Sequence, residues 1–250
     1  MRGFDELLAE AVAVDVSGWD FSWFQGRATE ERPPWHYHRR MADRLARADA
    51  SLDVQTGGGE VLAGAEVFPR TAVATEGWPP NVAKATRLLH PRGVVVVAAP
   101  EQPPWPFADE AFDLVTSRHP VKVEWEEIAR VLRPGGSYLA QHVGAESVFE
   151  LTAQFLEIPP EAHLGRRADL EAEAARAAGL GVVELRTART RMEFFDIGAV
   201  VVFLRKVVWI VPGFDVGRHA DVLRRLDARI RRDGPFVAHS ARTLVDARKG

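Results

Sequence analysis

The chain has 250 residues, 46% of them apolar and 27% charged, with a formal net charge of −3. That is enough apolar content for a sizeable core, and the charge carries no footprint of nucleic-acid or membrane-surface binding. There is no cysteine, which excludes disulfides, thiolate zinc sites and a cysteine nucleophile.

Residues 4–14 read as a short amphipathic helix, followed by the cluster Trp19-Asp20-Phe21-Ser22-Trp23-Phe24. Pro33-Pro34 then suits the start of a helix over 35–47, with Tyr37, Met41, Leu45 and Ala48 on one side. This leading segment, 1–49, either caps a sheet edge or closes over a ligand, since aromatics offer apolar area with a polar handle.

A first strand ends at Asp53-Val54 and runs into Gly57, Gly58 and Gly59, after which a helix is expected to reach residue 67. Glycines open backbone angles closed to other residues and leave no side chain between backbone and ligand. At the carboxyl end of a first parallel strand this points to a small molecule against the turn. Leu62 stands where the third glycine of G-x-G-x-x-G would be, so a pyrophosphate cradle is not supported and a nicotinamide oxidoreductase is disfavoured.

A second strand, 71–75, ends at Glu76, spaced from the glycines to accept hydrogen bonds from both ribose hydroxyls of a nucleoside. Gly77-Trp78-Pro79-Pro80 turns the chain into a helix over 81–89; Trp78 either packs the turn or covers an adenine face. Residues 93–98 are continuously apolar and β-branched, as in a parallel strand covered on both faces. A proline-rich loop with Glu101 and Gln102 leads to a fourth strand, 111–117, ending in Ser117-Arg118-His119-Pro120. A helix over 123–132 stops at Gly135-Gly136, and 137–143 is the fifth strand. Helices over 147–156 and 168–178, a sixth strand over 182–193 and a last strand within 236–248 complete the pattern, with two helices, 197–209 and 216–232, between the last two strands. No stretch reads as a secretory signal or a spanning helix: 197–211 is apolar but broken by Arg205 and Lys206. The expected compartment is therefore the cytosol.

Four stretches in order carry a resemblance: Asp53-Val-Gln-Thr-Gly-Gly-Gly59, Glu76, Trp105-Pro-Phe-Ala-Asp-Glu-Ala-Phe-Asp-Leu-Val115, and Val131-Leu-Arg-Pro-Gly-Gly136. Over 52–143 the chain resembles the class I S-adenosylmethionine-dependent methyltransferases. The resemblance implies an α/β fold, a doubly wound seven-strand mostly parallel sheet in one domain. Its parts are an N-terminal helical cap (1–49), a cofactor-binding core (50–193), a helical insertion (194–234) where family members commonly have a hairpin, and the last strand (235–250).

It also implies cofactor roles. Gly57, Gly58 and Gly59 let the backbone approach the methionine portion, Asp53 lies near its ammonium, and Glu76 holds the ribose; Gly77, Trp78 and Ser117 are further cofactor-binding candidates. Glu101 and Gln102 fall where family members meet the adenine edge, although many have Asp-Ala there. Gln55 departs from the glycine often found at its position. On the acceptor side, His119 is a candidate general base or a structural histidine, Arg118 a clamp for a carboxylate or phosphate, and His142 a second substrate-facing candidate.

There is no Asp/Asn-Pro-Pro-aromatic motif after the fourth strand and no carboxylate at its end to help bind magnesium. The expected function is S-adenosylmethionine-dependent, metal-independent transfer to oxygen or nitrogen of a small molecule, leaving S-adenosylhomocysteine. An RNA methyltransferase is the alternative suggested by five arginines at 224–232, which read first as a solvated helix face beside Asp221 and Asp227. A cofactor-binding module without catalysis is another. No membrane partner is expected, and monomer and homodimer both stay open.

Overall fold

The structure, a computed structural model, describes residues 2–16 and 20–250; Trp19 of the aromatic cluster lies outside the described residues. In chain order it has α1 (Phe4–Ala13), β1 (Ala28–Glu30), α2 (Tyr37–Leu45), β2 (Ala50–Asp53), β3 (Thr71–Glu76), α3 (Pro79–Leu89), β4 (Val94–Ala98) and β5 (Phe112–Arg118). Then come α4 (Trp125–Val131), β6 (Leu132–Val143), α5 (Phe149–Thr152), α6 (Ala168–Ala177), β7 (Leu180–Phe194), α7 (Ile197–Lys206), α8 (Ala220–Asp233) and β8 (Phe236–Lys249). The strand order is β1-β7-β8-β6-β5-β2-β3-β4. Pairs among β2 to β6 are parallel, whereas β8 runs antiparallel to β6 and β1 antiparallel to β7.

This is the expected doubly wound α/β fold with eight strands instead of seven. The addition is β1, which pairs Ala28 with Phe194 and Glu30 with Met192; three residues are too few for an alternating pattern to announce a strand. The helix expected after the glycines is also replaced. Only a 3-10 turn, Leu62–Gly64, forms there, because Gly64, Val61 and Val67 are poor helix formers. Likewise α5 spans Phe149–Thr152 rather than 147–156.

Residues 1–32, 145–165 and 189–241 make one compact unit, and 33–144, 166–188 and 242–250 another. The leading segment 1–49 is thus divided between them at residue 32. In the first unit α7 is apolar all round and buried along nearly its whole length, as a helix of that pattern must be. Asp196 caps it by accepting from Ala199 N at 2.8 Å. Gly198 lets it meet α1: a Cβ there would stand 3.2 Å from the Leu7 carbonyl oxygen. Among the described residues no helix is long and apolar enough to cross a membrane.

In the second unit, consecutive sheet residues bury into opposite cores, as a period of two requires. Val115, Tyr138 and Val245 join one cluster and Leu114, Leu139 and Leu244 the other. Strand order reverses at β2, with β3 and β4 on one side and β5 and β6 on the other. In open parallel sheets the crevice at the carboxyl ends beside such a reversal is where ligands bind.

Candidate functional site

The end of β2 delivers Asp53 to that crevice. It is buried, and Thr116 Oγ1 on neighbouring β5 donates to its Oδ1 at 2.6 Å. Burial pushes its carboxyl up to about 6, against the opposing pull of the Thr116 hydrogen bond. The turn that follows uses left-handed backbone at Gln55, Gly57 and Gly59. Gly59 is also fixed by packing: a Cβ there would stand 2.8 Å from Leu89 Cδ1 on α3. Gly58 is buried, and a Cβ on it would meet the Glu60 carboxylate. Gln55 accepts the left-handed conformation, and its side chain fastens two loops together. Its Oε1 takes the Val121 N–H at 2.7 Å and its Nε2 donates to the Lys122 carbonyl at 2.8 Å.

Glu76, buried at the end of β3, closes the turn. Oε2 accepts from Gly57 N at 2.8 Å and Oε1 from Trp78 N at 2.9 Å. Gly77 lies against the end of β4, where a Cβ would come 3.2 Å from the Ala99 carbonyl oxygen. Trp78 is 46% exposed beside it. Glu101 is half-buried, and burial followed by the Glu76 charge raises its carboxyl above the usual range. Gln102 is exposed. Asp53, Glu76 and Glu101 therefore form an acidic rim along the ends of three adjacent strands.

Across the reversal, Ser117 is buried and donates to the Val54 carbonyl at 2.8 Å, tying β5 to β2. Arg118 is exposed. His119 has left-handed backbone and takes its place through its N–H to the Gln141 carbonyl at 2.7 Å. Its ring is oriented by a chain of bonds. Trp35 Nε1 donates to Gln141 Oε1 at 2.8 Å, which turns the Gln141 amide nitrogen toward His119 Nε2 at 3.0 Å. An amide nitrogen only donates, so His119 Nε2 accepts and its proton sits on Nδ1. Burial, with Arg118 and Arg242 nearby, holds the imidazole pKa well below its usual value. The lone pair that a general base needs is thus already engaged.

His142 sits at the end of β6 on the opposite strand face from Gln141. Its Nδ1 meets Glu171 Oε2 on α6 at 2.6 Å and its Nε2 meets the Tyr138 hydroxyl at 2.9 Å. Thr116, Gln141, Trp35, Tyr138 and Glu171 are the residues that sequence reasoning passed over. Only the Tyr138–His142 pair had a readable signal, the even spacing that puts both on one face of a strand.

Residues 52–140 match the family described as "Methyltransferase domain". The chain has the class I, Rossmann-like methyltransferase fold. A methyltransferase candidate from Bacillus halodurans C-125 is similar over 85% of this chain and 98% of its own, with 20% identity and a TM-score of 0.61. An S-adenosylmethionine-dependent methyltransferase from Mesorhizobium loti is similar over 86% and 97%, with 15% identity and a TM-score of 0.52. A geranyl diphosphate methyltransferase in complex with GPP and sinefungin is similar over 85% and 78%, with 14% identity and a TM-score of 0.51. At these identities the likeness is one of fold. Among curated proteins no sequence matches the chain.

Proposed function

We propose that the protein is an S-adenosylmethionine-dependent methyltransferase acting, without a metal, on oxygen or nitrogen of a small molecule. The observation that carries this reading is the Glu76 carboxylate, held by Gly57 N and Trp78 N beside the glycine turn and flanked by Asp53 and Glu101. The cofactor brings an ammonium, a sulfonium and a ribose diol, and an acidic rim of acceptors is the donor-set complement to all three. Glu76 would hold the ribose, Asp53 the ammonium and the residues about Glu101 the base, while Trp78 offers an exposed aromatic face. Bound there, the cofactor supplies an electrophilic methyl group, and the chain's part is position and electrostatics. Ser117, Arg118 and His119 at the β5 end offer no carboxylate for a magnesium ion, which supports the metal-independent form.

Calorimetric titration with S-adenosylmethionine and S-adenosylhomocysteine tests the reading, and micromolar binding of both is the expected outcome. Glu76→Ala should weaken both by roughly 1–3 kcal/mol through lost charge-assisted hydrogen bonds; unchanged affinity would mean that the ribose is held elsewhere. One observation favours a second reading, a cofactor-binding protein of the same fold without transfer: His119 Nε2 is occupied by Gln141. Tight cofactor binding with no methylated product across a broad metabolite panel is the result that would select it.

A further inference from the structure

Next to the end of β5 lies a cavity of about 250 Å³. Val121, Val123, Trp125 and Leu170 line it with apolar side chains, and Arg166, His142 and Glu171 bring polar groups to it. It shares Pro120 and Val123 with a smaller recess reaching Val54, Gln55 and Ser117, so its inner wall adjoins the glycine-turn end of the sheet. Val121, whose N–H is held by Gln55, also accepts from Arg166 Nη2 at 3.3 Å.

Arg167 is paired with Asp169. Arg166 contacts only a carbonyl among the interactions of the described residues, leaving its guanidinium charge without a carboxylate. Glu171 Oε2 accepts the His142 Nδ1 hydrogen, because a carboxylate cannot donate. That fixes the His142 lone pair on Nε2, where the Tyr138 hydroxyl donates to it. Both imidazole nitrogens are engaged, so His142 acts as a positioning residue. Glu171 Oε1 has no partner among the described residues, and Glu171 lines the cavity. The lining thus offers a cation, a carboxylate acceptor and apolar side chains, the Trp125 indole among them.

We propose that this cavity binds a small organic anion. Its carboxylate pairs with Arg166, its apolar body lies against Val121, Val123, Trp125 and Leu170, and a hydroxyl or amino hydrogen is donated to Glu171 Oε1. The volume falls below that of sites for drug-sized ligands, which limits the ligand to about one ring or a branched aliphatic acid. The ligand's role as methyl acceptor rests on the function proposed above; the binding site itself does not.

Ligand-observed NMR titrations of the full chain test this with benzoate, 4-hydroxybenzoate, 4-aminobenzoate and 2-hydroxyisocaproate, and with 4-hydroxybenzamide as the uncharged control. The hydroxy and amino acids should bind, and the carboxamide at least tenfold more weakly. Arg166→Ala should cost tenfold or more. Glu171→Gln keeps an acceptor for His142 but can turn an N–H toward the ligand, so it should erase the preference of 4-hydroxybenzoate over benzoate. Ala174→Phe, at a further cavity-lining position, should abolish binding. All three variants should keep the wild-type thermal midpoint within a few degrees and wild-type S-adenosylhomocysteine affinity. The proposal is overturned if none of the acids binds the wild type, or if binding survives both Arg166→Ala and Ala174→Phe. Acid binding without S-adenosylhomocysteine binding would sink the proposed function and leave this site standing.

Discussion

Asp53 is an ionisable group held out of water at the end of β2, with Thr116 as its donor. Its carboxyl titrates near 6 instead of 3.8, so between those values the folded chain binds a proton that the unfolded chain releases. Stability is therefore lost as pH rises through this window, by about 3 kcal/mol for a shift of this size. Asp53→Asn removes the buried charge while keeping an acceptor for Thr116. It should be near neutral at pH 4 and stabilising by roughly 1–2 kcal/mol at pH 8, which urea denaturation at the two pH values would read. An equal effect at both would mean that Asp53 is not protonated in the fold. A cationic ligand group beside Asp53 would favour the ionised form, so S-adenosylmethionine should bind more tightly as pH rises from 5 to 7, with proton release near pH 6. The same dependence absent from Asp53→Asn would assign it to this residue.

At the level of elements, legibility followed signal length. The β-branched run Val94-Val-Val-Val-Ala98 declared β4, and the glycines with Glu76 marked the ligand end of the sheet. What stayed hidden are contacts between stretches distant in the chain. Trp35 meets Gln141 across 106 positions and His142 meets Glu171 across 29, and no local pattern encodes either. The helix expected up to residue 67 is a 3-10 turn, Leu62–Gly64, because a few apolar positions do not offset Gly64 and the β-branched Val61 and Val67. The anchor of α2 shows the same distance effect. Tyr37 is buried, and its hydroxyl donates to the Ser117 carbonyl at the end of β5 at 2.9 Å. Tyr37→Phe leaves that carbonyl short of a donor in a buried place and should cost about 1–2 kcal/mol, seen as a lower denaturation midpoint with an unchanged m-value. If the Ser117–His119 corner also depends on this bond, ligand affinity at the site should fall with it; wild-type stability would show that water replaces the hydroxyl.

Over the whole molecule, the question is whether the arginines of 224–232 make a nucleic-acid surface on a chain of net charge −3. On α8 most of them are spoken for. Arg224 pairs with Asp221 at 3.1 Å, Arg231 with Asp227 at 2.6 Å and Arg232 with Asp233 at 2.8 Å, while Arg229 lies over the Phe236 ring at 5.1 Å. Exposed pairs of this kind add little stability, but each places a carboxylate where a phosphate would otherwise sit and cancels most of the local field. Nucleic-acid affinity depends on releasing counterions, roughly one per phosphate neutralised, so log K falls with log salt in proportion to the free cations presented. A helix with three of its five arginines paired to carboxylates should show only weak binding to mixed RNA and a shallow slope between 50 and 200 mM salt. The Asp221→Asn, Asp227→Asn and Asp233→Asn triple variant releases three guanidinium groups and should steepen that slope by up to about three units. If the unmodified protein already shows a steep slope, the paired helix is not what limits RNA binding, and a nucleic-acid substrate would displace the small-molecule acceptor.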